Sequence, residues 1–162
     1  MLKACADSIS IPLAYIFNLS VEDGVFPDRL KKAVVKPLHK KGPKNNISNY
    51  SPITLIPVLA KVFEKLMHIR HVKFADKYEL FSERQRGFRA NKSTTTATFA
   101  LLKDVVNCVD KGQHAFVLFI DMTKAFDLVA HQRLLTKLDH YGIRGNILCW
   151  FESYLSQRTQ CR

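Results

Sequence analysis

Residues 115–120 (AFVLFI) form an unbroken apolar run rich in β-formers that stops on Asp121. The run is too short for an ordinary helix and has no polar face, so it reads as a strand buried on both sides. A strand of that kind needs cover, and 47% of the 162 residues are hydrophobic, enough to supply it and to exclude a disordered tail. No uninterrupted apolar stretch reaches the roughly 18 residues of a membrane span, and no signal-peptide pattern opens the chain. Cys5, Cys108, Cys149 and Cys161 show no CxxC spacing, which argues against a zinc site or disulfide framework. They read as reduced thiols of an intracellular protein.

The remaining elements are mainly helical. Ser10 and Pro12 predict the cap and first turn of a helix whose stripe of Leu13, Ile16 and Phe17 stops at Asp23-Gly24. From Leu55 to Met67 apolar residues recur every three or four positions, predicting a one-sided helix with Pro57 in its first turn. Ser93 is placed to cap a helix ending near Lys111-Gly112. Phe126, Val129, Leu134, Leu135 and Leu138 suggest another, ending at Tyr141-Gly142, and the last carries Ile147, Leu148, Phe151, Tyr154 and Leu155. Trp150 and Phe151 read as core. Many helices with few strands give an α+β class rather than regular βαβ alternation.

Charge narrows the function. The formal net charge is +11, which points to a polyanionic partner, most simply nucleic acid. Between Arg29 and Lys44 lie seven cations and no acid, on a short extended run with a Gly42-Pro43 turn that predicts a basic hairpin or loop. Arg84, Arg86, Arg89 and Lys92 surround Gly87-Phe88 in a second cluster. Lysines and arginines on such loops can approach phosphates closely. Asp121, at the rim of an apolar strand, suits a hard cation such as Mg²⁺; capping of a following helix is the alternative. Asp127 reads as a solvated acid. His68 and His71 have a spacing compatible with a metal or with any polar helix face, and no third ligand lies nearby in sequence.

Six ordered blocks together resemble the reverse transcriptase of LINE-type, non-LTR retrotransposons: residues 25–27 (VFP), 35–42 (VKPLHKKG), 49–65 (NYSPITLIPVLAKVFEK), 85–95 (QRGFRANKSTT), 119–127 (FIDMTKAFD) and 141–160 (YGIRGNILCWFESYLSQRTQ). The resemblance covers nearly the whole chain. It implies a partial right-hand polymerase, with fingers-like residues 1–114 and the first part of the palm in 115–162. It further implies RNA copied into DNA by two-metal nucleotidyl transfer, with Mg²⁺ as cofactor, RNA template and DNA primer as partners and dNTP as substrate. Asp121 matches the family's first catalytic aspartate, and the Met122 carbonyl is expected to help hold a metal. Phe126 matches the residue that excludes a ribose 2′-hydroxyl. Lys40 or Lys41 matches the fingers cation on the incoming triphosphate. Asn49 and Tyr50 are expected along the template, with Arg89 and Lys92 as further nucleic-acid contacts. The implied location is a nuclear or cytoplasmic ribonucleoprotein.

Departures from the family pattern carry consequences. Ser51 stands where the family has an arginine (NYRPI), and a serine offers neither the charge nor the bidentate fork. Arg86 stands where an aromatic or small apolar residue is common, and Ala130 where an acid precedes the histidine. The 162 residues stop before the family's glycine-glutamine block, Ala-Asp-Asp hairpin and thumb. The expectation is therefore a fragment inactive by itself, the alternatives being a non-catalytic nucleic-acid-binding module or a decayed transposon remnant.

Overall fold

A computed structural model describes residues 5–122 and 125–161. Among them are five helices and three strands: α1 (Ala6–Glu22), β1 (Lys32–His39), β2 (Tyr50–Leu55), α2 (Val58–Lys77), α3 (Thr94–Asp110), α4 (His131–His140), α5 (Asn146–Leu155) and β3 (Thr159–Cys161). Single-turn 3₁₀ helices at Asp28–Leu30 and Ile47–Asn49 bracket the β1 region. The chain divides into two compact units, one of Met1–His71 with Val129–Arg162 and the other Val72–Leu128.

The first unit holds the sheet and the principal core. β1 is the central strand, antiparallel to β2 from Val34 opposite Leu55 to His39 opposite Tyr50, and parallel to β3 through Lys32–Thr159 and Val34–Cys161. Phe17 of α1, Ala60, Phe63 and Met67 of α2, Phe26 and Trp150 of α5 form the buried cluster. Phe26 is wholly buried, and its ring meets those of Phe63, Trp150 and Tyr154 edge-on at centroid distances of 6.4, 5.3 and 5.1 Å. Edge-to-face contacts of this kind suit the quadrupoles of the rings. The polar atoms brought inside are paired. Trp150 Nε1 donates to Ser20 Oγ at 2.9 Å, Ser20 Oγ donates to the Val25 carbonyl, and the Phe26 amide donates to Ser153 Oγ at 3.0 Å.

α1 ends where the sequence predicts. The Gly24 amide bonds the Val21 carbonyl and the Val25 amide the Ser20 carbonyl, with Gly24 at φ +67°, the pair of bonds that closes a helix through a left-handed glycine. Its start differs: the helix begins at Ala6, and Pro12 lies inside it. Ser10 Oγ bonds back to the Asp7 carbonyl at 3.1 Å instead of capping forward. Ser10 therefore offers no start signal, and Pro12 removes one amide from a helix held on its other turns. Leu55, expected to open the α2 stripe, closes β2, and α2 starts at Val58 with the Pro57 carbonyl accepting from Lys61 N. In the second unit Ser93 caps α3 as predicted, in a reciprocal box: Thr96 N donates to Ser93 Oγ, and Ser93 N to Thr96 Oγ1.

The largest correction concerns residues 115–120. They form no strand, and Phe116, Leu118, Phe119 and Ile120 are 97, 83, 81 and 81% exposed. Strand formation depends on partners distant in sequence, and the sheet among the described residues pairs β1 with β2 and β3 alone. Apolar composition expresses a demand for cover without supplying it. The helix expected from Phe126 onward starts later, at His131 with Ala130 as its N-cap residue, so Asp121 does not cap it. Thr123 and Lys124, inside the FIDMTKAFD block, lie outside the described residues.

Candidate functional site

The basic hairpin predicted from residues 29–44 is present, and its architecture explains its charge. After β1 the Lys40 amide bonds the Asn49 carbonyl at 2.8 Å, and the chain turns at Gly42, whose φ is +87°. A Cβ at Gly42 would lie 2.8 Å from Asn49 Nδ2, so a side chain there would sit on a left-handed backbone and displace the Asn49 amide. The polar side chains nearby serve the loop itself. Asn49 Nδ2 donates to the Pro43 carbonyl and Tyr50 OH to the Lys44 carbonyl, both at 2.9 Å. His39 Nε2 lies 2.9 Å from the Gly42 carbonyl oxygen, and the His39 and Tyr50 rings sit 5.1 Å apart. Asn46 Oδ1 accepts from both the amide and the hydroxyl of Ser48. Internal bonding holds the loop in shape while Lys36, Lys40, Lys41 and Lys44 remain exposed. Ser51 faces Leu38 across the ladder, two positions from Lys40.

Lys31 departs from the cluster it belonged to in sequence. Its side chain is only 5% exposed, with Nζ 2.9 Å from Asp28 Oδ1 and 3.4 Å from Ser153 Oγ. A buried ammonium needs such partners, and they make Lys31 a structural cation. The signal in the sequence was Asp28, three residues upstream and just outside the acid-free stretch.

The other site residues, Arg89, Lys92, Asp121, Met122 and Phe126, belong to the second unit, while Lys40, Lys41, Asn49 and Tyr50 belong to the first. Arg89 is anchored: Nη2 lies 3.3 Å from Asp76 Oδ1, and the guanidinium sits 4.2 Å from the centroid of the Phe81 ring. Among the described residues Arg84, Arg86 and Lys92 form no ion pair, leaving their charges available. Asp121 and Met122 are exposed at the end of the uncovered apolar run, and Phe126 is 79% exposed with its ring nearly perpendicular to that of Phe88 at 6.2 Å.

Metal chemistry can be tested against these donors. No group of three His, Cys, Asp or Glu side chains converges among the described residues. Asp121 offers one hard carboxylate, suited to Mg²⁺, which keeps waters and takes a carboxylate or two together with phosphates. It is one ligand and not a complete site. His68 and His71 line an apolar cavity of about 340 Å³ with Met67, Leu138, Phe151 and Tyr154. Burial, with His68 nearby, pushes the His71 pKa down, and its ring is edge-on to Phe151 at 5.7 Å. These histidines read as part of a helix face packed on aromatics.

Glu64 completes this region. It accepts from Tyr154 OH at 2.7 Å and lies 3.8 Å from Arg158, whose guanidinium stacks 4.4 Å from the Tyr154 ring centroid. Burial and then the bond to Glu64 push the Tyr154 pKa up to about 12.

Known proteins resemble this chain over most of its length. A family model described as "Reverse transcriptase (RNA-dependent DNA polymerase)" matches residues 38–162. The chain is 31% identical over 138 residues to the Drosophila melanogaster protein named "Probable RNA-directed DNA polymerase from transposon X-element", covering 85% of this chain and 15% of that protein. Against "Probable RNA-directed DNA polymerase from transposon BS" of the same species it is 30% identical over 164 residues, covering 97% of this chain and 17% of the relative. Against the "RNA-directed DNA polymerase from mobile element jockey", also of Drosophila melanogaster, identity is 29% over 148 residues, covering 91% and 16%. The chain thus spans about a sixth of the length of the curated relatives it matches.

Proposed function

Because this chain belongs to the reverse transcriptase (RNA-dependent DNA polymerase) family, we propose that it forms the fingers and the first part of the palm of a LINE-type retrotransposon polymerase that copies RNA into DNA. The observation that carries this reading is the exposed lysine loop between β1 and β2, braced by Asn49 and Tyr50 within the matched residues. Lys40 and Lys41 neutralise phosphate charge on the incoming dNTP, where ammonium groups act as point charges. Asn49 and Tyr50 serve the template indirectly, by holding the loop that meets it, and Arg89 and Lys92 flank a second contact with nucleic acid. Asp121, with the Met122 carbonyl, contributes oxygen ligands to Mg²⁺, and Phe126 sets the sugar selection. Mg²⁺, when bound, supplies Lewis-acid stabilisation of charge at the transferring phosphate. The cellular setting that follows is a ribonucleoprotein in the nucleus or cytoplasm.

For the 162 residues taken alone, binding without chemistry is the favoured behaviour, since one carboxylate cannot hold two divalent ions against their mutual repulsion. The test is primer extension on an RNA template. A polypeptide carrying these residues and continuing through a family palm and thumb should extend a primer, and Asp121→Ala should abolish that extension. In the same polypeptide Phe126→Ala should admit NTP, and Ser51→Arg should lower the KM for dNTP. Extension that survives Asp121→Ala would overturn the assignment of Asp121.

A further inference from the structure

Phe88 sits in a conformation that a bulky residue rarely adopts. Its φ is +58°, in the left-handed region, and its side chain is 90% exposed. Asn91, three residues on, has φ +60° as well. Neighbouring bonds hold this shape. Gln85 N donates to the Ser82 carbonyl at 3.0 Å, Gln85 Nε2 reaches the Gly87 carbonyl at 3.4 Å, and Arg89 is pinned between Asp76 and Phe81. These contacts flank Phe88 on both sides, and the ring itself lies in solvent. Its one aromatic neighbour among the described residues is Phe126, also exposed, which meets it edge-on.

Backbone strain combined with an exposed aromatic ring is unfavourable unless something is gained on binding. Charge on the same loop indicates what. Arg84, Arg86 and Lys92 carry cations that no acid among the described residues neutralises, and they alternate with the ring over nine positions without an intervening acid. A flat aromatic face among unpaired cations fits a ligand that is itself a chain of flat rings and phosphates.

We propose that Phe88 is a stacking platform for an unpaired base of single-stranded RNA, with Arg84, Arg86 and Lys92 meeting the adjacent phosphates. This rests on the polymerase reading and deepens it, by giving the second basic cluster a base-facing residue as well as phosphate contacts. The Phe126 ring stands nearly perpendicular to that of Phe88 at 6.2 Å, and Phe88 stays 90% exposed beside it.

The experiment uses the 162-residue chain and a short single-stranded oligoribonucleotide carrying an internal 2-aminopurine, whose fluorescence falls when the base stacks. Wild-type protein should quench the probe on binding. Phe88→Leu, which keeps apolar bulk but removes the π-face, and Phe88→Ala should weaken binding by about 5- to 150-fold and abolish the quenching. Phe88→Tyr should retain both. The slope of log affinity against log salt should be unchanged in all three, because no charge is altered. Binding and quenching by Phe88→Leu equal to wild type would overturn the stacking role alone, and would assign the ring to contact with protein. Failure of the wild-type chain to bind the oligonucleotide at all would instead refute the nucleic-acid reading, and the stacking proposal with it.

Discussion

Gly24→Ala isolates the junction on which the first unit depends. Gly24 ends α1 in a left-handed conformation and turns the chain into Phe26, the wholly buried ring at the centre of the aromatic cluster. A Cβ there would lie 2.9 Å from Cys149 Cβ and 3.1 Å from the Asn146 carbonyl oxygen, both in α5. Neither is the far end of a flexible side chain, so α5 or the turn must move. The left-handed backbone alone costs an L-residue about 1–2 kcal/mol. Overpacking of a filled site adds about 1–3 kcal/mol, for a total of about 2–5 kcal/mol. At this chain length the total corresponds to a fall in Tm of about 4–20 °C. Trp150 is the single tryptophan, buried in the same unit, so its fluorescence during urea or thermal unfolding reports on this junction without interference. A double-mutant cycle separates the two costs. Cys149→Gly removes one of the two atoms in conflict, and Gly24→Ala in that background should cost less by about 0.5–3 kcal/mol. An unchanged Trp150 transition in Gly24→Ala, or strict additivity in the cycle, would refute the argument that α1 and α5 meet too closely for a side chain.

Other expectations follow from the same structure. Replacing Lys40 and Lys41 with Ala should weaken RNA binding and reduce the salt slope by about 0.7–0.9 for each RNA phosphate that is no longer neutralised; an unchanged slope would remove the two lysines from the RNA and leave them the dNTP phosphates alone. Tyr154 is neutral in the folded state up to about pH 12, whereas in the unfolded chain it ionises near pH 10. Folded protein therefore holds the extra proton between these values, and stability fully present below pH 10 should be lost as pH rises through 12. Tyr154→Phe should flatten that alkaline loss as read by Trp150 fluorescence. Val117→Lys with Phe119→Lys should raise solubility at little cost in helical circular dichroism, because both positions lie in the uncovered run; a loss of helix would show that the run is covered after all.

What the chain encodes locally is legible in the sequence itself. Helix ends at Gly24, Gly112 and Gly142, the Ser93 cap, and the β1–β2 turn at Gly42 all depend on residues within a few positions of one another. Family membership was legible for a related reason, because ordered blocks of sequence survive whether or not their partners are in view. Tertiary structure decided what depends on distant partners. Lys31 reads as one of seven free cations until Ser153, 122 residues away, closes over it together with Asp28. The parallel pairing of β3 with β1 joins residues more than a hundred positions apart, and nothing in Thr159–Cys161 announces it. The resemblance implies that Asn49 and Tyr50 lie along the template, and the fold adds that their side chains donate to the Pro43 and Lys44 carbonyls of the loop carrying the lysines. The run 115–120 has the strongest strand composition in the chain, yet it lies open because a strand is made by its neighbour's backbone as much as by its own side chains.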